Sequence, residues 1–97
     1  MKIVIQTLDF VLWEDLELFI AESLKQLLRY DVPLVRAEVI LGEDNSDSGR
    51  GRFCNVRLIT AGMGYLVSQH GPTWEQAVEA AVADLAKKLK KDIQSLS

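Results

Sequence analysis

The residues best placed to do chemistry in this chain are four lysines, Lys87, Lys88, Lys90 and Lys91, close together near the C-terminus. If the segment is helical, at about 100° per residue they fan across one side while Leu85 and Leu89 point the other way, so all four ammonium groups meet one surface. Phosphates suit such a surface, because each lysine that neutralises one releases a condensed counterion. A plainer reading competes: cations complement the negative end of a helix dipole, and Asp84 pairs with Lys88 at the favourable i, i+4 spacing. Arg50, Arg52 and Arg57 flank the start of a strand, and arginine grips phosphate through a planar fork, so they would extend the lysine patch. Their plainer reading is surface pairing, such as Arg57 with Glu38 across neighbouring strands.

Catalytic chemistry finds no such set. His70 is the only histidine, and a general base needs a pocket and an orienting group that neither Cys54 nor Ser68 supplies from its place in the sequence. A loop histidine before a helix is expected there. Cys54 shares its strand face with Val56 and Leu58, which makes it a buried, unreactive thiol. As the only cysteine it forms no internal disulfide and no zinc site. Gly62-Met63-Gly64 joins two strands and opens no helix, so it is a hairpin turn and not a phosphate-cradling loop. Asp44 and Asp47 lack the spacing and closing glutamate of a calcium loop. The expectation is a binding protein with no catalytic residues, metal, cofactor or small-molecule substrate.

The charge distribution says where a polyanion would bind. Residues 1–49 carry four basic and ten acidic side chains, a net of −6, whereas residues 50–97 carry seven basic and four acidic ones, a net of +3. A polyanion belongs on the second half.

The elements that must position these groups follow from periodicity. Ninety-seven residues with 48% apolar and 26% charged side chains suit one globular domain over 1–97. Lys2 to Gln6 is a short β-branched strand with Ile3 and Ile5 on one face. Trp13, Leu16, Ile20, Leu24 and Leu27, widened by Phe19 and Leu28, mark an amphipathic helix over 13–30, with Glu14, Asp15 and Glu17 at its positive end and Pro33 beyond its stop. Leu34 to Leu41 alternates as a second strand, with Val35, Ala37, Val39 and Leu41 on one side. The stretch 42–51 is dense in turn formers and has no apolar anchor, so it is expected to be the most mobile internal loop. Phe53 to Ala61 and Tyr65 to Gln69 form a hairpin. Thr73 and Gln76 make a capping box for a last helix whose apolar face runs from Trp74 to Ile93. The order β-α-β-β-β-α fits an α+β fold in two layers, with both helices on one face of a four-stranded, mostly antiparallel sheet. No apolar run reaches the ~20 residues of a membrane span, and Met1 to Thr7 lacks the pattern of a signal peptide. A cytoplasmic protein is expected.

That order, with the wording of the last helix, resembles the short ribosome hibernation-promoting factors, also called sigma-54 modulation or ribosome-associated inhibitor proteins. The family pattern Tyr-x-Ala-Ile-Asp-x-x-x-Asp-Lys-Leu-x-Arg-Gln-Leu-x-Lys is echoed by Glu75-Gln76-Ala77-Val78-Glu79 and by Ala83-Asp84-Leu85-Ala86-Lys87-Lys88-Leu89-Lys90-Lys91. Leu16, Phe19, Ile20 and Tyr30 also sit where the family has similar residues, so the likeness spans nearly the whole chain. Glu75 stands where the family favours tyrosine, and Asp84 where it favours a lysine that helps hold ribosomal RNA. The resemblance implies a fold similar to double-stranded RNA-binding domains. It also implies a non-enzymatic factor that binds ribosomal RNA of the small subunit through a basic surface and inhibits translation. The cations of the first helix, Lys25 and Arg29, join the RNA-binding set on the same ground. The alternative is a protein-interaction module of this fold that has lost RNA binding, motivated by Glu75, Asp84 and the acidic first half.

Overall fold

The computed structural model describes residues 1–44 and 51–95. Strand β1 (Lys2–Thr7) is followed by helix α1 (Glu14–Lys25), which continues as a 3₁₀ segment, Gln26–Tyr30. Strands β2 (Leu34–Asp44), β3 (Gly51–Thr60) and β4 (Met63–Gly71) then lead to helix α2 (Trp74–Ser95). The sheet order is β1-β2-β3-β4. β1 lies parallel to β2, and the other two pairings are antiparallel. This is the expected α+β architecture, with α1 as the crossover that a parallel pair requires.

The alternation seen in the sequence becomes rows of side chains across the sheet. Ile5, Val39, Val56 and Val67 are register partners in turn, as are Ile3, Ala37, Leu58 and Tyr65. Onto this face α1 and the 3₁₀ segment bring Leu16, Ile20, Leu24 and Leu27, and α2 brings Ala77, Val78, Ala81, Leu85 and Leu89, all essentially inaccessible to water. Truncating one such leucine to alanine typically costs about 2–5 kcal/mol, because the cavity collapses only partly. The helices therefore hold their polar flanks in place through a well-filled core.

The structure departs from the expected elements at several places. Trp13, expected in the first helix and its apolar stripe, caps α1 instead and is 45% exposed, and Met63 and Gly64, expected in the hairpin turn, belong to β4. The helix expected over 13–30 is α-helical only to Lys25, and its last turn tightens to 3₁₀ before Asp31 adopts a left-handed φ of 54°. Tighter winding turns Leu28 out of the stripe, so it is 52% exposed. Val35 does not share the inner face with Ala37, because the β2–β3 register slips between Leu34 and Arg36. Such a bulge reverses the alternation, placing Leu34 against the core and Val35 in solvent. His70 lies in β4 opposite Phe53, not in a loop. Of the mobile loop expected over 42–51, residues 42–44 and Gly51 belong to strands, and 45–50, with Asp47 and Arg50, lie outside the described residues. Gly42 is buried inside β2, where a Cβ would stand 2.6 Å from the Phe53 ring.

Candidate nucleic-acid interface

Helix α2 begins at the expected cap, where the backbone N–H of Gln76 donates to Thr73 Oγ1 at 3.1 Å. From there the helix runs with Leu85 and Leu89 buried at 0% exposure and Lys87, Lys88, Lys90 and Lys91 all exposed. The four ammonium groups span roughly 160° of the helix circumference. By helical position Lys87 and Lys91 lie at the middle of that arc, and Lys88 and Lys90 at its two edges. Lys88 meets Asp84 at 3.9 Å, as its spacing foretold. Asp84 also accepts from Gln69 Nε2 of β4 at 3.3 Å, a contact that the sequence did not signal. Exposed pairs of this kind are worth under about 1 kcal/mol, so Lys88 can exchange its partner for a phosphate at little cost.

The remaining candidate cations divide by position. Arg29 lines a cleft of about 460 Å³ between α1 and α2, with Ser23 and Gln26 on its own side and Glu79, Ala83 and Ala86 opposite. Its guanidinium stands 5.4 Å from the centre of the Tyr30 ring. Ala83 and Ala86 lie one turn before Lys87 and Lys90, so Arg29 borders the lysine surface, while Glu79 introduces a negative charge further along the cleft. Lys25 is exposed and pairs with Glu22 at 3.6 Å, about 100° round α1 from the cleft-lining Gln26.

Arg52 and Arg57 do not extend the patch. Arg57 pairs with Glu38 at 3.9 Å, in cross-strand register, on the sheet face away from the helices. Glu38 also receives Arg36 at 3.2 Å. Arg52 sits at the start of α2, its Cζ 4.4 Å from the Trp74 ring centre, donating from Nη1 to Pro72 O at 3.1 Å and facing Glu43 at 3.6 Å. Thirteen helical steps separate Trp74 from Lys87, which puts Arg52 roughly 20 Å from the lysines. It anchors an aromatic cluster that the sequence did not reveal. Trp74 stacks on Phe10 at 4.1 Å, meets Trp13 edge-on at 5.6 Å, and donates from Nε1 to Gly42 O at 3.1 Å. Three aromatic residues near element starts were the only trace of it.

Two titratable groups with displaced pKa values, Cys54 and Tyr65, lie in the body of the fold. Burial pushes the Cys54 thiol from 9.0 up to about 12, and Tyr65 rises from 10.0 to about 12 through burial and then its hydrogen bond to Asp92 and that carboxylate's charge. Both are acids whose charged form is disfavoured in the fold. Once pH passes their ordinary values the unfolded chain releases protons that the folded chain still holds, so the stability they contribute is complete below about pH 9 and falls as pH rises towards 12. The urea midpoint is expected to decline through that alkaline window. A Cys54→Val, Tyr65→Phe double variant should show a flatter decline.

Among the described residues, no group of three or more His, Cys, Asp or Glu is placed to hold a metal ion, and no helix is long and apolar enough to cross a membrane. What the α2 surface offers is a set of cations on a rigid element, bordered by a cleft that ends in an arginine.

Comparison with known proteins bears on the fold and the family. The N-terminal domain of Protein Y from Thermus thermophilus superposes with a TM-score of 0.81 at 19% identity, covering 94% of this chain and 98% of that one. A ribosomal subunit interface protein from Coxiella burnetii superposes with a TM-score of 0.82 at 10% identity, covering 97% and 99%. At such identities these two likenesses speak for the fold. A search of curated protein sequences gives no match. The model of the sigma 54 modulation protein / S30EA ribosomal protein family matches residues 3–96, which is nearly every residue from β1 to the end of α2, and the chain belongs to that family.

Proposed function

We propose that this chain is a ribosome-associated factor that binds ribosomal RNA of the small subunit through the exposed flank of α2 and inhibits translation by occupying its site. The observation that carries the reading is the set Lys87, Lys88, Lys90 and Lys91, held outward by buried Leu85 and Leu89 on a helix matched by the family model. Arg29 extends the set across the cleft, and Lys25 adds charge at its margin. Arg52 and Arg57 are left out of it. The role requires no bond making, only steric occlusion by a chain acting in the cytoplasm as one module. The Coxiella neighbour, by its name a ribosomal subunit interface protein, is consistent with such a role.

Co-sedimentation with purified small subunits across a salt series tests the reading. Binding is expected at low salt, with log affinity falling linearly against log salt at about −0.7 to −0.9 per phosphate neutralised. Absence of binding at low salt would sink it. A protein-interaction module is the second reading, and Asp84 favours it: the carboxylate stands within the lysine set and is already tied to Gln69 and Lys88. Stoichiometric capture of one non-ribosomal protein, with no subunit bound, would select that reading.

A further inference from the structure

The end of the molecule remote from the lysines carries a second surface, built on the connection between β1 and α1. Leu8, Val11 and Trp13 are 41%, 88% and 45% exposed there. Val11 is the most exposed of them, and no described residue covers it. Beside these side chains Leu8, Asp9, Phe10 and Glu43 line a pocket of about 170 Å³, space for one long side chain. It combines an aliphatic wall, an aromatic ring and two carboxylates. Arginine and lysine match that combination, laying an apolar stem on hydrocarbon while the cationic head meets the ring or a carboxylate. Carboxylates dominate the flanks, since Glu14, Asp15 and Glu17 occupy the adjoining first turn of α1. The nearby cation, Arg52, lies over Trp74, donates to the Pro72 carbonyl and pairs with Glu43 at 3.6 Å, so an incoming cation shares Glu43 with Arg52 and meets Asp9 as the pocket's other carboxylate.

We propose that this surface docks a basic segment of another protein. An arginine or lysine of that segment enters the Leu8–Asp9–Phe10–Glu43 pocket, and a neighbouring apolar residue packs on Val11 and Trp13. Charge complementarity selects the occupant: the carboxylates that attract a cationic peptide repel a nucleic-acid backbone. The surface is separate from the lysine flank, so one molecule can engage RNA with α2 and a basic protein segment with the β1–α1 end.

Isotope-labelled protein, titrated by NMR with a short arginine-rich peptide carrying leucine and separately with a single-stranded RNA oligonucleotide, tests this directly. The peptide should shift amides of residues 8–13 and Glu43. Asp9→Asn removes one charge and keeps a residue that tolerates the φ of 66° found there; it should weaken the peptide roughly tenfold. Val11→Ser, at an exposed site where folding is not at stake, should weaken it about fivefold, and so should replacing the peptide's leucine by serine. Shifts scattered over all acidic positions, with neither variant having an effect, would reduce the attraction to non-specific charge pairing and overturn the proposal. So would RNA shifting the same amides more strongly than the peptide, or no peptide binding at all. No ribosome enters the measurement, so its failure is distinct from failure of the small-subunit reading.

Discussion

Replacing Lys87, Lys88 and Lys91 together by glutamate is expected to abolish co-sedimentation with small ribosomal subunits while the fold survives. All three side chains are exposed, and the leucines beneath them, Leu85 and Leu89, carry the packing. Losing three phosphate contacts weakens binding on the order of a hundredfold near physiological salt and lowers the log–log salt slope by about 2–3; reversing the charges adds repulsion. The cost to stability is small by comparison. Three anions towards the C-terminal half of α2 oppose the helix dipole, and Lys88→Glu turns the attraction to Asp84 into a repulsion, for about 1–2 kcal/mol in all. Asp84→Lys is expected to strengthen binding, and less than its charge alone suggests, because the substitution also removes the acceptor of Gln69. Circular dichroism of the triple variant checks the fold, and sedimentation at two salt concentrations checks the slope. Unchanged binding by the triple variant would leave the lysines as a solvated helix flank.

The legible part of this molecule is the part governed by period. Strand alternation named Ala37, Val39, Leu41, Cys54, Val56 and Leu58 as inward-facing, and the step of three and four named Leu16, Ile20, Leu24, Leu85 and Leu89; all are buried. Spacing likewise foretold the Thr73 cap, the Asp84–Lys88 pair and the Arg57–Glu38 pair. What escaped depends on offsets that no local pattern carries. A one-residue bulge sends Val35 outward, and a tightened last turn sends Leu28 outward, though both residues satisfy the period. The candidate site divides in the same way. The four lysines form one surface because a single helix holds them, and that is visible in the sequence. Arg52 and Arg57 are adjacent to the patch only in the order of the chain: one belongs to the aromatic end of the molecule and the other to the outer face of the sheet. Sequence order could not tell them from Arg29, which the 3₁₀ segment brings to the cleft beside α2.

Trp74→Ala is expected to be among the most destabilising single substitutions in the chain, and to act at the end of α2 that the RNA reading leaves unused. The indole is 6% exposed, stacked on Phe10, edged by Trp13 and covered by the Arg52 guanidinium, and its Nε1–H donates to Gly42 O. Truncating a buried tryptophan typically costs about 3–5 kcal/mol through lost burial and the cavity left behind. The loss of the cation–π contact adds about 0.5–1 kcal/mol. A domain of this size has roughly 5–15 kcal/mol to lose, so a large share of the stability goes with one side chain. Trp74→Phe retains an aromatic ring for Phe10 and Arg52 but leaves the buried Gly42 carbonyl without the indole donor, which costs about 1–3 kcal/mol. Urea unfolding followed by circular dichroism should therefore rank the parent first, Trp74→Phe second and Trp74→Ala last. A loss below about 1 kcal/mol for Trp74→Ala would mean that the cluster closes over the gap and does not fix the start of α2. In buffer without urea, where the variant remains folded, its binding to small subunits should match the parent's, because the lysines lie roughly 20 Å along the helix.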